Sequence, residues 1–346
     1  MRGLLTRICL FIIMPIALTA LYQSRSAIAR RWPTCIPQAS VLGWRPRDLA
    51  IQRVGSRTAA AMSTFHHPDF DVPVTLPDGL SKEQVLNFYP FASWISTLEN
   101  SLDLQKQTSS HPFHSDPYSL RSVTVQAFDL FGQRVGFLKL TSDVSNGAGE
   151  KLSGAVFLRG PSVAMLVILV PDDAPAGSDE RYVLLTVQPR VAAGSLGFVE
   201  IPAGMVDEAG SFAGTAAKEI YEELGLEIAA SELTNLSELA ALPSEDGAGA
   251  GAGAAETKTQ DGNLPRAVYP SPGACDEYIP IFLHQRRVPR EQLSEWTGRL
   301  TGLRDEGEKI TLKLVKMQSL WRECARDAKS LSALALWEGL HREGKV

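Results

Sequence analysis

The feature that most constrains this chain is an acidic helix approached through a glycine, between Ala203 and Leu226. Ser211 is a good N-cap, and Gly225 suits the position after the last turn because glycine accepts a left-handed conformation. The interval between them predicts about three and a half turns of helix. Apolar residues at three- and four-residue spacing predict its buried face: Ala213, Ala217, Ile220 and Leu224.

Three carboxylates, Glu219, Glu222 and Glu223, are predicted on another face of this helix, close to its C-terminal end. Carboxylates oppose the helix dipole there, at about 0.3–1 kcal/mol each, and like charges at this spacing repel one another. The pattern therefore suggests a counter-ion, and Mg²⁺ or Mn²⁺ suits a group of carboxylate oxygens. A solvated acidic face is the alternative, and it is the commoner role of an acidic trio considered alone.

The complete stretch resembles the Nudix box. That pattern is Gly, five residues, Glu, seven residues, Arg-Glu, an aliphatic residue, any residue, Glu-Glu, any residue, Gly and an aliphatic residue. The positions that match are Gly204, Glu219, Ile220, Glu222, Glu223, Gly225 and Leu226. Two positions depart from it, because Gly210 replaces the first Glu and Lys218 replaces the Arg. Lys218 keeps the positive charge but lacks the planar fork of a guanidinium.

An α/β domain is predicted around this helix. Short apolar runs bounded by turn residues predict buried strands, and they cover residues 162–170, 182–187, 198–201, 278–283 and 310–315. Strands before and after the helix indicate helices on both faces of a sheet. A further helix is predicted over residues 330–341. The family resemblance implies the corresponding fold, an α/β/α sandwich with a mixed sheet.

A small β-containing N-terminal subdomain is predicted over residues 62–156, ahead of a Nudix domain over residues 157–346. Helical spacing over residues 82–104 is interrupted by Pro90, which predicts two helices rather than one. Alternating residues over 122–128 and 134–140 predict a hairpin. Within the second domain, the Gly-Ala repeats of residues 244–263 predict a flexible insertion.

Residues 1–61 form a basic leader, with nine arginines, no lysine and one acid, Asp48. The apolar run of residues 8–22 is short for a transmembrane helix, which needs about 20 residues, but it is a candidate for membrane contact. Ala27-Ile28-Ala29 resembles a signal-peptidase site. The Arg-rich, acid-poor composition favours import into a mitochondrion or plastid. A membrane-anchored or secreted protein, or a cytoplasmic one translated from Met62, are the alternatives.

Two segments narrow the resemblance to the ADP-sugar and ADP-ribose pyrophosphatase branch of the family, including its plant chloroplast-type members. They are Gln188-Pro189-Arg190 and Glu200-Ile201-Pro202-Ala203-Gly204. A third similarity is the turn of residues 269–277, which precedes a strand. The resemblance implies that substrate is bound by Arg190, Glu200, Ser271 and Glu277. Without it, these residues would be interpreted as a surface ion pair, a strand residue, a turn-former and a solvated strand end.

The resemblance also implies how the metal and the attacking water are held. Glu219, Glu223 and the Ala203 carbonyl would bind Mg²⁺ or Mn²⁺, with Glu222 nearby as a catalytic candidate. Glu306 or Glu308 would act as the base or as a further ligand. Considered alone, the acidic loop that carries these two glutamates would be interpreted as a solvated turn.

The predicted function is metal-dependent hydrolysis of the diphosphate bridge of ADP-glucose, ADP-ribose or both. The alternatives are hydrolysis of another nucleoside diphosphate derivative, and a binding module that senses nucleotide sugars without cleaving them. The whole chain has a net charge of −5, so nucleic acid is not expected as a partner. The resemblance implies a homodimer.

Overall fold

The structure is a computed structural model that describes residues 62–206, 211–241, 264–302 and 309–346. Among these residues the strands form two sheets, of five and eight strands. The first sheet has the order β1-β2-β3-β4-β5, and its strands are β1 (Ser63–His66), β2 (Pro73–Leu76), β3 (Ser119–Phe131), β4 (Arg134–Ser145) and β5 (Ala155–Leu158). Strand β5 crosses the predicted boundary after residue 156, so the sheet extends two residues past it. The division into two domains stays a prediction.

Two helices precede β3, as the sequence predicts: α1 (Lys82–Leu86) and α2 (Tyr89–Gln107). Pro90 lies in the first turn of α2, where its missing N–H costs no hydrogen bond. The predicted hairpin is β3–β4, paired from Ser119 with Ser145 to Phe131 with Arg134. Apolar side chains of the helices and of this sheet form one core.

The second sheet has the order β10-β11-β6-β7-β13-β12, with β8 paired to β7 and β9 to β6. Its strands are β6 (Ser162–Pro171), β7 (Tyr182–Arg190), β8 (Ser195–Glu200), β9 (Ala203–Met205), β10 (Thr234–Asn235), β11 (Ile281–Val288), β12 (Leu300–Thr301) and β13 (Ile310–Lys316). It is a mixed sheet, because β11 runs parallel to β6 and the other pairs are antiparallel.

Helices cover both faces of this sheet. They are α3 (Phe212–Glu219), α4 (Leu236–Ala241), α5 (Arg290–Trp296), α6 (Leu320–Glu323) and α7 (Ala328–Arg342). Every residue of β6 is buried, and its side chains alternate between two cores. Leu166 packs in the core that contains α7, and Met165 packs in the core that contains α3 and α5. The predicted α/β/α arrangement of layers is therefore confirmed.

One predicted strand is displaced. The sequence predicts a strand over residues 278–283, but β11 runs from Ile281 to Val288. Pro280 has no N–H to donate to a ladder, whereas parallel pairing with β6 continues as far as Val288 opposite Pro171. Arg287 supports the polar end of the strand, because its Nη2 donates to the carbonyls of Asp172 and Ala174 at 3.1 and 2.7 Å.

The buried His284 of β11 gives the fold a predicted pH dependence. Its side chain is 3% exposed and lies close to Glu232 and Arg286. Burial lowers the pKa of His284 below its ordinary value of 6.5. The neutral ring is therefore preferred in the folded state. Its contribution to stability is complete above pH 6.5 and is lost as the pH falls towards the folded pKa.

We expect His284→Leu to flatten the dependence of the melting temperature on pH below pH 6.5, the ordinary pKa of the ring. Leucine is apolar and cannot take up the proton that the exposed imidazole binds on unfolding below pH 6.5. Melting curves of both proteins across this range measure the effect. Parallel pH profiles for the variant and the wild type would show that other groups control acid stability.

Candidate active site

The acidic helix begins and ends where its capping residues predict. Ser211 Oγ accepts a hydrogen bond from Gly214 N at 3.0 Å, and Gly225 follows the last turn with a φ of 69°. The interior differs from a regular α-helix, because α3 continues as a π-helical turn over Ile220–Leu224. Ala216, rather than the predicted Ala217, is the fully buried alanine of this helix.

The three carboxylates of this helix have different surroundings. Glu223 is 1% exposed and accepts hydrogen bonds from Gln188 Nε2 at 3.3 Å and from Ala203 N at 3.2 Å. Glu222 forms an ion pair with Lys218 at 3.6 Å, on the outer side of the helix. The helix therefore directs Glu223, and not Glu222, toward the loop that follows β8.

Gly204 lets β9 approach the helix closely. A Cβ atom added at Gly204 would overlap the carboxyl group of Glu219. Strand β9 is fixed by its pairing with β6, where Gly204 lies opposite Val163. A glycine is therefore required at this position if Glu219 is to keep its place beside β9.

Glu219 and Glu223 line a cavity of about 580 Å³. Predicted site residues that also line it are Arg190, Glu200, Ala203 and Glu277. Among the described residues of its lining, three are cations and five are carboxylates: Arg159, Arg190, Lys329, Glu200, Glu219, Glu223, Glu277 and Asp327. The formal charge of this lining is −2, so an anionic ligand would need additional positive charge to bind beside the carboxylates.

Glu200 is held between two cations on one side of the cavity. Its carboxylate is 2% exposed, and it accepts from Arg190 Nε at 2.6 Å and from Lys329 Nζ at 2.7 Å. Lys329 Nζ also donates to Asp327 Oδ1 at 2.8 Å. Burial disfavours the charge of Lys329, but the carboxylates of Glu200 and Asp327 outweigh burial and raise the pKa of its ammonium group. Lys329 is therefore a cation at neutral pH.

Glu277 is held by Arg159, which follows β5, and by Ser162, the first residue of β6. It accepts from Ser162 Oγ at 2.7 Å and forms an ion pair with Arg159 Nη1 at 3.0 Å. The neighbouring Asp276 fixes this turn, because its carboxylate accepts from the backbone N–H groups of Arg159 and Gly160. Glu277 therefore holds a cationic side chain at the cavity.

Other predicted site residues lie elsewhere. Ser271 is exposed and does not line this cavity. Its carbonyl accepts from the N–H groups of Ala274 and Cys275, which makes it a turn-former. Glu306 and Glu308 lie outside the described residues, as do Gly210 and the insertion of residues 244–263.

The sequence did not predict three charged residues of the cavity: Arg159, Asp327 and Lys329. Asp327 carries a recognisable signal, because it is an acid at a helix start, where it accepts from Ser330 N at 3.1 Å. The predicted helix began at Ser330, which placed this cap outside it. Arg159 and Lys329 have no local signal.

The donor groups of the cavity fit a magnesium ion. In the described ranges, no three His, Cys, Asp or Glu side chains are grouped closely enough to hold a metal ion by themselves. Mg²⁺, however, is usually bound by one or two carboxylates together with water and substrate phosphates. Glu219 and Glu223 supply two carboxylates, and Ala203 lies beside them. The roles of these residues as ligands stay predictions.

Comparison with known proteins identifies similar chains. A sequence model described as the NUDIX domain matches residues 160–250. Nudix hydrolase 14, chloroplastic, from Arabidopsis thaliana is 35% identical over 258 residues, which cover 74% of this chain and 72% of that protein. A solved structure titled "Crystal structure of ADP compounds hydrolase" is 18% identical, with a TM-score of 0.42, and the match covers 66% of this chain and 97% of that one.

Across the described residues, the helices are all too short or too polar to cross a membrane. The apolar run of residues 8–22 lies outside them, so membrane contact stays a prediction.

Proposed function

The chain belongs to the Nudix hydrolase family, and on that premise we propose that it hydrolyses the diphosphate bridge of ADP-glucose, ADP-ribose or both. The observation that carries the proposal is the cavity in which Glu219 and Glu223 lie with Arg159, Arg190 and Lys329. The carboxylates suit a divalent metal ion, and the basic side chains suit phosphate oxygens. A site that binds a diphosphate together with its metal ion needs both kinds of group. The choice of an ADP-sugar rests on the resemblance of the segments around Arg190 and Glu200 to that branch.

The family generally uses a divalent cation, typically Mg²⁺. Here Glu219, Glu223 and the Ala203 carbonyl would hold it, and Mn²⁺ suits the same oxygen donors. When bound, the ion supplies charge neutralisation for the diphosphate and a means of orienting and activating water.

Side chains of the protein would bind the phosphate groups and accept the proton of the attacking water. Arg190 is held through Nε, so its terminal nitrogens have donors for a phosphate oxygen. Glu306 or Glu308 would accept a proton from the attacking water. The water oxygen forms a new bond to phosphorus, the bond to the bridging oxygen breaks, and the products are AMP and a sugar phosphate.

The test is incubation of the full chain with Mg²⁺ and, in parallel, ADP-glucose, ADP-ribose and UDP-glucose. We expect AMP from at least one ADP-sugar, and the ratio of the two rates identifies the preferred sugar. Turnover of UDP-glucose alone would favour another nucleoside diphosphate derivative. Binding of all three without turnover would favour a sensor, and Gly210 would then be the first residue to change to Glu.

The cellular location and assembly are proposed on separate grounds. The Arg-rich leader and the chloroplastic relative support an organelle, either a plastid or a mitochondrion. A homodimer is proposed from the family resemblance alone. Sedimentation of the full chain at several concentrations tests it.

A further inference from the structure

The ion pair between Arg190 and Glu200 includes a second cation, Lys329. The Glu200 carboxylate uses one oxygen for Arg190 Nε and the other for Lys329 Nζ, at 2.6 and 2.7 Å. The Lys329 side chain is 16% exposed and the Arg190 side chain 41% exposed, so Arg190 is the more accessible of the two cations. Both line the cavity. Glu200 therefore joins an accessible cation to an enclosed one.

Lys329 sets the net charge of the group of side chains around Glu200. Arg190, Glu200, Lys329 and Asp327 together are formally neutral. Without the ammonium group, the carboxylates of Glu200 and Asp327 and the guanidinium of Arg190 would have a net charge of −1. This charge would lie at a largely buried carboxylate, where it is poorly screened and would oppose a diphosphate.

Lys329 is also fixed more firmly than an ordinary surface lysine. Asp327 caps α7, and its Oδ2 accepts from Ser330 N and from Ser330 Oγ at 3.1 and 2.6 Å. Ser330 Oγ in turn accepts from Ile201 N at 3.1 Å, next to Glu200. The start of α7 is thus bonded to the end of β8 at two adjacent residues, which sets where the ammonium group lies relative to Glu200.

We propose that Lys329 is a positioning residue for diphosphate binding, which acts through Glu200 by holding its carboxylate so that Arg190 stays oriented toward phosphate and its positive charge is not outweighed by the neighbouring carboxylates. This inference rests on the proposed function and adds to it a residue from a distant part of the chain. Its role is in substrate binding and not in the chemical step. The effect of its loss should therefore appear in KM and in equilibrium binding more than in kcat.

The experiment compares the full-chain wild type with Lys329→Met, Lys329→Arg and the control Lys313→Met. Lys313 also forms a lysine–carboxylate pair, with Glu323 at 2.7 Å, but it does not line the cavity. The readouts are KM and kcat for the preferred ADP-sugar, and calorimetric binding of its α,β-methylene analogue, whose bridge cannot be hydrolysed. Thermal melting reports folding, and Lys329→Gln replaces the Met variant if that protein does not fold.

We expect Lys329→Met to weaken analogue binding and raise KM by about 10- to 100-fold, the effect of losing a hydrogen bond to a charged group, with a smaller change in kcat. Lys329→Arg should recover most of the binding, and Lys313→Met should match the wild type. Unchanged analogue binding by a folded Lys329→Met protein would overturn this inference alone. A fall in kcat without a change in binding would overturn it too. A wild type that neither binds the analogue nor releases AMP would overturn the proposed function, and this inference with it.

Discussion

Replacing Glu223 by Gln is expected to reduce the turnover of ADP-sugars at least about 100-fold. Loss of a residue that merely supports a metal ligand typically costs 10- to 100-fold, and Glu223 is proposed as a ligand itself. The substitution also disturbs hydrogen bonding, because Glu223 accepts from both Gln188 Nε2 and Ala203 N. A glutamine amide has one acceptor oxygen, so its NH₂ group would face a donor.

The measurement is steady-state AMP release over a range of Mg²⁺ concentrations. Glu238→Gln is the matched control, because Glu238 is an exposed helical glutamate that pairs with Arg266 at 3.1 Å. It should keep wild-type activity. If Glu223→Gln folds and turns over at the wild-type rate, Glu223 is not a metal ligand.

The second large effect is expected for Gly204→Ala. The added Cβ would overlap the Glu219 carboxyl, and β9 is held against β6 on its other side. Glu219 must therefore move. The carboxyl group is the far end of a flexible side chain, so it can move aside with little loss of stability, but a displacement near 1 Å at a reacting centre costs about 100-fold in rate.

Kinetics and thermal melting of the two alanine variants Gly204→Ala and Gly339→Ala separate these effects. A Cβ at Gly339, which lies within α7 three residues before its end, meets no atom within 4 Å. Its replacement should leave activity unchanged and raise stability by about 0.5–1 kcal/mol, because alanine is the better helix former. Wild-type kinetics for Gly204→Ala would mean that Glu219 has room to move without loss of function.

The parts of the site that were predictable from sequence depend on short-range chemistry. Ser211 and Gly225 define the ends of the acidic helix through their own backbone preferences. The proximity of Glu219 and Glu223 follows from a four-residue step along that helix. Buried strands such as β6 are visible as continuous apolar runs.

The other parts depend on contacts between distant segments. Lys329 contacts Glu200 across 129 residues, and Arg159 reaches Glu277 from the connection between β5 and β6. No periodicity in the sequence records these pairs. The π-helical turn at Ile220–Leu224 was not predicted either, because a regular helix and a widened one share the same residue preferences and differ in how the surroundings pack.

The bond between the start of α7 and the end of β8 also bears on the order in which the molecule folds. Ile201 and Ser330 are 129 residues apart. A contact between such distant residues requires a long loop to close, which costs conformational entropy before the contact stabilises the chain. Local units, such as the hairpin β3–β4, can form without this closure. A folding intermediate that contains only local units would hold the acidic helix but lack Lys329 beside Glu200. Under the proposed function, the capacity to bind a diphosphate would therefore depend on these long-range contacts and not on the acidic helix alone.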